Sequence, residues 1–268
     1  MRLIVITPTL GISPWLEQTI ASVEQVGIPN AHVLVAPQRD IGSLAQRFPA
    51  VKVVPESSGG MYGAINIGLE AGSEWDAFTY INDDDLLLRD FRLVVDAVAR
   101  NPRQSLIAYG GVRLINSTGR RLGSIPISPS GELNRALYAQ RLEPVYQHGT
   151  VITRAVVDSI GGFDASLRYC GDSEFFARAC VAGVTFVRAT TREVAAFRLR
   201  AGQLTKNRAA MLSERARVDQ KLGLLKPQPA RTLRYARRRF RLANLRIYAE
   251  RIRRYGIASF DEMLEKLD

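Results

Sequence analysis

Histidine and cysteine are scarce: the chain holds only His32, His148, Cys170 and Cys180. Two histidines cannot build a histidine-rich metal centre. The cysteines match no zinc spacing and are too few for a disulfide framework, so a reducing, cytoplasmic setting is expected. No apolar run reaches the roughly 18 residues that span a bilayer. Met1-Arg2 leads straight into apolar Leu3-Ile4-Val5-Ile6, so no signal peptide is expected. Internal repeats and low-complexity tracts are missing too. Acidic residues are outnumbered, 26 against 37 lysines and arginines, giving a net charge of +11 and a pI near 10.1. That surplus points to an anionic partner: nucleotide phosphate, nucleic acid or an acidic membrane face. The 268 residues allow one large α/β domain, or one domain with an appendage.

What is present centres on residues 77–88, Ala-Phe-Thr-Tyr-Ile-Asn-Asp-Asp-Asp-Leu-Leu-Leu. The apolar first half suits a buried strand. It breaks into Asn82, Asp83, Asp84 and Asp85. Three adjacent carboxylates repel one another unless a positive group lies among them. At the carboxyl end of a parallel strand that group is usually a ligand or a cation. Hard oxygen donors suit Mg²⁺ or Mn²⁺. A solvated acidic turn, with one aspartate capping a helix, is the plainer alternative.

Read in order, residues 2–6 form a continuous apolar run, as a central parallel strand should. Thr7-Pro8-Thr9 ends it. Ser13-Pro14 opens a helix, Ser13 as cap, with Ile20 and Val23 on the inner face. Residues 31–36 and 51–54 are further strands. Gly59-Gly60-Met61-Tyr62-Gly63-Ala64-Ile65-Asn66 begins the next helix. Glycines there let backbone approach a ligand, or merely make a flexible loop. Asn66 is a polar amide within a helix, which calls for a specific partner. Gly72 closes that helix, and residues 75–81 are the fourth strand.

Phe91, Val94, Val95 and Val98 mark the inner face of a helix over residues 91–99. Residues 106–109 read as a strand ending at Gly110-Gly111. Residues 112–127 read as a hairpin around Asn116-Ser117-Thr118-Gly119. Residues 145–152 look strand-like, with Gln147 and His148 embedded. Gly161-Gly162-Phe163-Asp164 is a tight turn. Asp172 and Glu174 precede an apolar helix, Asp172 being most simply its cap. Residues 186–189 and 194–199 read as two last strands, which place Arg198 and Arg200 to meet phosphate or to stay solvated. After Pro227 the character changes. Residues 231–254 hold ten arginines against one acid, Glu250. This basic amphipathic helix suits an anionic membrane or the flank of the main domain, with nucleic acid a third option.

Over residues 1–205 the ordered blocks resemble family 2 glycosyltransferases of the GT-A fold. Thr7-Pro8-Thr9 resembles the opening Pro-containing motif. Residues 59–68 resemble Gly-x-Tyr-x-Ala-x-Asn-x-Gly, and Asn82-Asp83-Asp84-Asp85 resembles Asp-x-Asp. Gly161-Gly162-Phe163-Asp164 and Gly171-Asp172-Ser173-Glu174 resemble Gly-Gly-Phe-Asp and Asp-x-Glu.

The resemblance implies an α/β GT-A fold with a nucleotide-sugar half over residues 1–110 and an acceptor half over 111–205; the composition adds a helical, Arg-rich extension over 206–268. It implies a metal-dependent, inverting hexosyltransferase that moves a sugar from a nucleotide-diphosphate sugar to a glycan, polysaccharide or lipid-linked hydroxyl. Asp84 would bind Mn²⁺ or Mg²⁺, supported by Asp85 and Asp83. Asn82 would meet the ribose. Thr7, Pro8 and Thr9 would line the nucleoside, and Gly60 and Asn66 would approach the diphosphate or sugar. Asp172 would be the general base, with Gln147 and His148 facing the acceptor. Where the family commonly has an acidic cluster after the second strand, this chain has Val35-Ala36-Pro37-Gln38-Arg39-Asp40. Asp40 is the partial substitute, and the nucleobase stays open. Expected localisation is cytoplasmic, at the inner face of the plasma membrane if the basic helix binds lipid; nucleic acid is disfavoured as partner and the oligomeric state is open. The alternatives are a nucleotidyltransferase and a non-catalytic binder of sugar nucleotide or anionic lipid. A nucleotidyltransferase calls for a lysine in the loop after the first strand, and Thr9-Leu10-Gly11-Ile12 has none.

Overall fold

A computed structural model describes residues 1–72, 74–127, 145–200, 203, 207–224 and 242–256. Its elements begin β1 (Leu3–Pro8), α1 (Leu16–Gln25), β2 (Asn30–Pro37), α2 (Ile41–Arg47), β3 (Lys52–Glu56), α3 (Met61–Ala71) and β4 (Ala77–Tyr80). They continue with β5 (Leu86–Leu87), α4 (Arg92–Ala99), β6 (Leu106–Ile115), β7 (Arg121–Ile125), β8 (Val151–Thr153), α5 (Arg154–Ile160) and α6 (Gly171–Val181). Last come β9 (Thr185–Arg198), α7 (Arg208–Lys221) and α8 (Leu242–Tyr255).

The described strands form one mixed sheet in the order β3-β2-β1-β4-β8-β6-β9-β5, with β7 on β6. β3, β2, β1 and β4 run parallel. β8 is antiparallel to both β4 and β6. Every residue of β1 is buried, as expected of a strand covered on both faces. Alternation sends Ile4 and Ile6 to one face and Leu3 and Val5 to the other. The first face packs on Ile65 and Leu69 of α3 and on Phe175 and Phe176 of α6. The second packs on Val23 of α1 and on Phe91, Val94, Val95 and Val98, as the helical periodicity predicts. A Cβ on Gly68 would lie 2.5 Å from Ile6, so only glycine lets α3 come this close to the sheet.

Several local expectations are corrected. Ser13 does not cap α1, whose N-cap is Trp15. The Ser13 hydroxyl instead donates to the Asp83 carbonyl at 2.8 Å. Of residues 145–152 only the end enters a strand, β8. β6 does not stop at Gly110-Gly111 but runs on to Ile115. The two strands expected over 186–199 are one, β9. Thr190-Thr191-Arg192 is polar because it forms a bulge, where the register slips from Tyr109↔Arg188 to Gly111↔Glu193.

Of the basic stretch, residues 231–241 lie outside the described residues. The part within α8 docks on β7: Arg121 forms ion pairs with Glu250 at 2.6 Å and with Glu193 at 2.9 Å. Among the described residues no helix is long and apolar enough to cross a membrane.

Candidate active site

The sequence-predicted residues gather where parallel strands end. Thr7 and Pro8 finish β1, Asp40 follows β2, and residues 82–85 follow β4. Thr7 is buried and its hydroxyl lies 3.0 Å from His32 Nε2, so its side chain points into the sheet rather than toward a nucleoside. Burial lowers His32 to about 4, leaving a neutral ring there. Pro8 is buried beside it. Thr9 does reach the acid turn: its hydroxyl donates to Asp83 Oδ2 at 2.6 Å. Burial is the main reason Asp83 is raised above the usual carboxylate range. Asp40, after β2, faces Gly11 of the loop after β1 and pairs with Arg39 at 3.4 Å.

The acid turn is held from below. Asp85 is fully buried. Its Oδ1 accepts the Arg198 backbone N–H at 2.8 Å, and its Oδ2 accepts from Asn82 Nδ2 at 3.1 Å. His148 Nε2 lies 3.1 Å from the same Oδ2, and the imidazole packs 4.4 Å from the Phe197 ring. Asp85 therefore ties β4 to β9 and to the His148 turn, while Asn82 Oδ1 is buried with no hydrogen-bond partner in the structure. Gln147 is buried one residue away. Arg198 is buried as well; its guanidinium donates to the carbonyls of Asp84, Asn116 and Ser117 and to Gln18.

Asp84 faces a different cation. Arg200 Nε lies 2.6 Å from Asp84 Oδ2. Burial first, and the Asp85 charge second, push Asp84 up to about 6, against the pull of Arg200. Among the described residues no three histidine, cysteine, aspartate or glutamate side chains converge as metal ligands. The three acids expected to hold Mn²⁺ or Mg²⁺ are each taken up by protein: Asp83 by Thr9, Asp84 by Arg200, Asp85 by Asn82 and the β9 backbone.

On the other side stands Asp172, in the first turn of α6 rather than at its cap, which is Cys170. Tyr62 Oη donates to Asp172 Oδ1 at 3.3 Å. Tyr62 comes from the first turn of α3, next to Gly60, whose φ of 136° suits the glycine that caps the helix. Asn66, one turn on, does not point to a donor site. Its Nδ2 donates to the Phe163 carbonyl at 2.8 Å and its Oδ1 accepts the Phe163 N–H at 2.9 Å. The helix thereby grips the Gly161-Gly162-Phe163-Asp164 turn. Phe163 stacks on Tyr62 at 5.9 Å and meets Tyr80 edge-on at 5.4 Å. Tyr80, the last residue of β4, feels both ends of the site: burial raises its phenol most, followed by the charges of Asp172, Tyr62 and Asp85.

Two further residues support the site: Glu214, which sequence reasoning missed, and Glu174. Glu214 of α7 accepts the backbone N–H groups of Arg168, Tyr169 and Cys170 at 2.8, 2.6 and 2.7 Å, fixing the turn before Asp172. Glu174 is buried against Arg178 at 2.7 Å, and Arg178 donates to the Gly162 carbonyl at 2.7 Å. The spacing of Glu174 and Arg178, four residues apart, is visible in the sequence; nothing local announces Glu214.

No protein-family model matches the sequence, and no curated protein matches it. Solved structures do resemble the fold. S. aureus TarS 1-349 superposes with a TM-score of 0.61 at 13% identity, covering 98% of this chain and 77% of that one. The same protein in complex with UDP-GlcNAc gives 0.63 at 12% identity, covering 98% and 78%. The mannosyltransferase PcManGT from Pyrobaculum calidifontis, in complex with GDP-Man and Mn²⁺, gives 0.56 at 15% identity, covering 98% and 78%. At such identities the likeness is one of fold: this chain has the mixed α/β fold of these glycosyltransferases.

Proposed function

We propose that this protein is an inverting glycosyltransferase that moves a hexosyl group from a nucleotide-diphosphate sugar to an acceptor hydroxyl. The observation that carries the reading is a packed run from Asp172 to the end of β4: Tyr62 Oη lies 3.3 Å from Asp172, Tyr62 stacks on Phe163, and Phe163 meets Tyr80 edge-on. The acid turn after β4 and Asp172 on α6 both act on that phenol, and Phe163 packs against both Tyr80 and Tyr62. The acid turn and the proposed base are thus joined through one aromatic cluster. That the fold neighbours include complexes with UDP-GlcNAc and GDP-Man supports a sugar-nucleotide donor.

In this reading Asp172 accepts the proton of the acceptor hydroxyl as its oxygen attacks the anomeric carbon. The bond from that carbon to the diphosphate oxygen breaks on the opposite face, so configuration inverts and the nucleoside diphosphate leaves with the electron pair. Tyr62 stays protonated, because burial and the Asp172 charge raise it well above its ordinary value. It can therefore donate to the carboxylate and hold it in one rotamer. Thr9 holds Asp83 at the donor wall, and Gln147 and His148 stand on the β8 side, where an acceptor glycan or lipid-linked sugar would lie. Mn²⁺ was expected to steady the leaving group, as its presence in the mannosyltransferase complex makes plausible. Asp83 and Asp84 would hold it through the carboxylate oxygens outside their contacts to Thr9 and Arg200.

A thermal-shift screen of the full chain against UDP-, GDP- and dTDP-sugars tests the reading, since a donor that binds only the folded state stabilises it. At a hundredfold excess over Kd the gain is about 2.7 kcal/mol, a shift of several degrees. A screen in which no nucleotide sugar moves the transition sinks the donor assignment.

A further inference from the structure

We propose that the outward face of α8 is a docking surface for an anionic lipid bilayer, which it meets with an apolar stripe flanked by arginines. The inference stands apart from the sugar-transfer reading: it concerns where the protein sits, not what it transfers.

The two faces of α8 have different tasks. The inner face holds the domain. Glu250 pairs with Arg121 of β7 at 2.6 Å and with Arg254 of its own helix at 3.2 Å, and Arg254 donates to the Arg121 carbonyl at 3.3 Å. Arg121 is tied in turn to Glu193 of β9 at 2.9 Å. Glu250 is the only acid in α8, so the domain engages it and the outward face carries none.

On that outward face Leu245, Ala249 and Ile252 follow one another at helical spacing, which sets them on one side. All three are exposed, Leu245 at 39% and Ile252 at 52%. Arg246 and Arg253, each one residue further along, are exposed on the flank of the stripe. A helix held to its domain for stability alone would bury Leu245 and Ile252 and leave its ion pairs outside. With these residues α8 does the reverse.

Charge selects the occupant. α8 holds four arginines against Glu250, and residues 231–241, directly before it in sequence, add six arginines and no acid. A second copy of a chain with net charge +11 would bring like charge to like. A nucleic acid would satisfy the arginines and leave the apolar stripe in water. A bilayer with anionic headgroups takes both. The stripe enters the boundary between headgroups and acyl chains, and the guanidinium groups stay at the level of the phosphates with their stems along the apolar surface.

The test is flotation of the full chain with vesicles of phosphatidylcholine alone and of phosphatidylcholine with one third phosphatidylglycerol. The protein is expected to float with the anionic vesicles and not with the neutral ones. Raising salt from about 0.05 to 0.5 M should release it, because screening shortens the reach of each charge. Leu245→Ser/Ile252→Ser and Arg246→Glu/Arg253→Glu should each weaken binding by about ten- to hundredfold. Both pairs lie on the outward face, so the thermal transition should stay at its wild-type position. Arg100→Glu/Arg103→Glu makes the same charge change on exposed residues before β6, at the end of that strand away from Arg121. That control should weaken binding by no more than about threefold. An equal loss in the control, unchanged binding by Leu245→Ser/Ile252→Ser, or no flotation with anionic vesicles overturns the proposal. So does a polynucleotide that binds as tightly as the vesicles and is indifferent to Leu245→Ser/Ile252→Ser, or a dimer in ultracentrifugation that the same variant dissolves. None of these outcomes bears on donor binding, which the nucleotide-sugar screen tests separately.

Discussion

Tyr62 Oη sits 3.3 Å from Asp172 Oδ1, and that contact joins the first turn of α3 to the first turn of α6. The distance is long for a hydroxyl donor, so its worth is orientation more than strength. Tyr62→Phe keeps the ring that stacks on Phe163 and removes only the donor. Turnover should fall about three- to tenfold, the effect of roughly 1 kcal/mol on the barrier. Donor affinity should not change. Steady-state kinetics with separate donor titration checks both; a change in affinity with turnover intact contradicts the assignment.

Asn66 is predicted to matter for stability before it matters for chemistry. Asn66→Ala strips two hydrogen bonds from the Phe163 backbone. The orphaned N–H and C=O should cost about 2–4 kcal/mol, seen as a drop in the midpoint of urea denaturation with little change in slope. A variant as stable as the wild type would show that the Gly161-Gly162-Phe163-Asp164 turn does not depend on α3.

Asp84 sets a pH dependence of definite sign. Its folded pKa, about 6, lies above the ordinary 3.8, so the folded state binds the proton more tightly than the unfolded one. The stabilisation this brings is complete below about 3.8 and is lost as pH rises through about 6. Asp84→Asn keeps the shape and removes the ionisation. It should be more stable than the wild type at pH 8, by about 1–3 kcal/mol, and the gain should shrink toward zero at pH 4. Thermal denaturation of the two proteins across that range gives the answer. A constant difference at all pH values would show that Asp84 is not the titrating group.

Much of the fold was legible because its signals are local. The β1 run Leu3-Ile4-Val5-Ile6 has no polar interruption, and the α4 face repeats at helical spacing from Phe91 to Val98. The hairpin around Asn116-Ser117-Thr118-Gly119 announced itself by turn chemistry, and the structure places it between β6 and β7. β9 misled, because its bulge carries Thr190-Thr191-Arg192, which reads as a loop. The site was half legible. Asp172, Thr9 and the acid turn do come to one end of the sheet, but their partners are set by tertiary approach. Arg200 lies 116 residues from Asp84 in sequence, and Asn66 lies 97 from Phe163. No periodicity or propensity reports such pairings. The same holds for Asp85, which looks like any other member of an acidic triplet until burial sets it apart.

The central claim is that Asp172 is the base of a sugar-transfer reaction. It is tested most directly by following release of nucleoside diphosphate from a bound nucleotide sugar in wild type and Asp172→Asn. The account predicts that the variant binds donor with the wild-type affinity while release falls by about 10²- to 10⁴-fold. Equal release by the two proteins would contradict it.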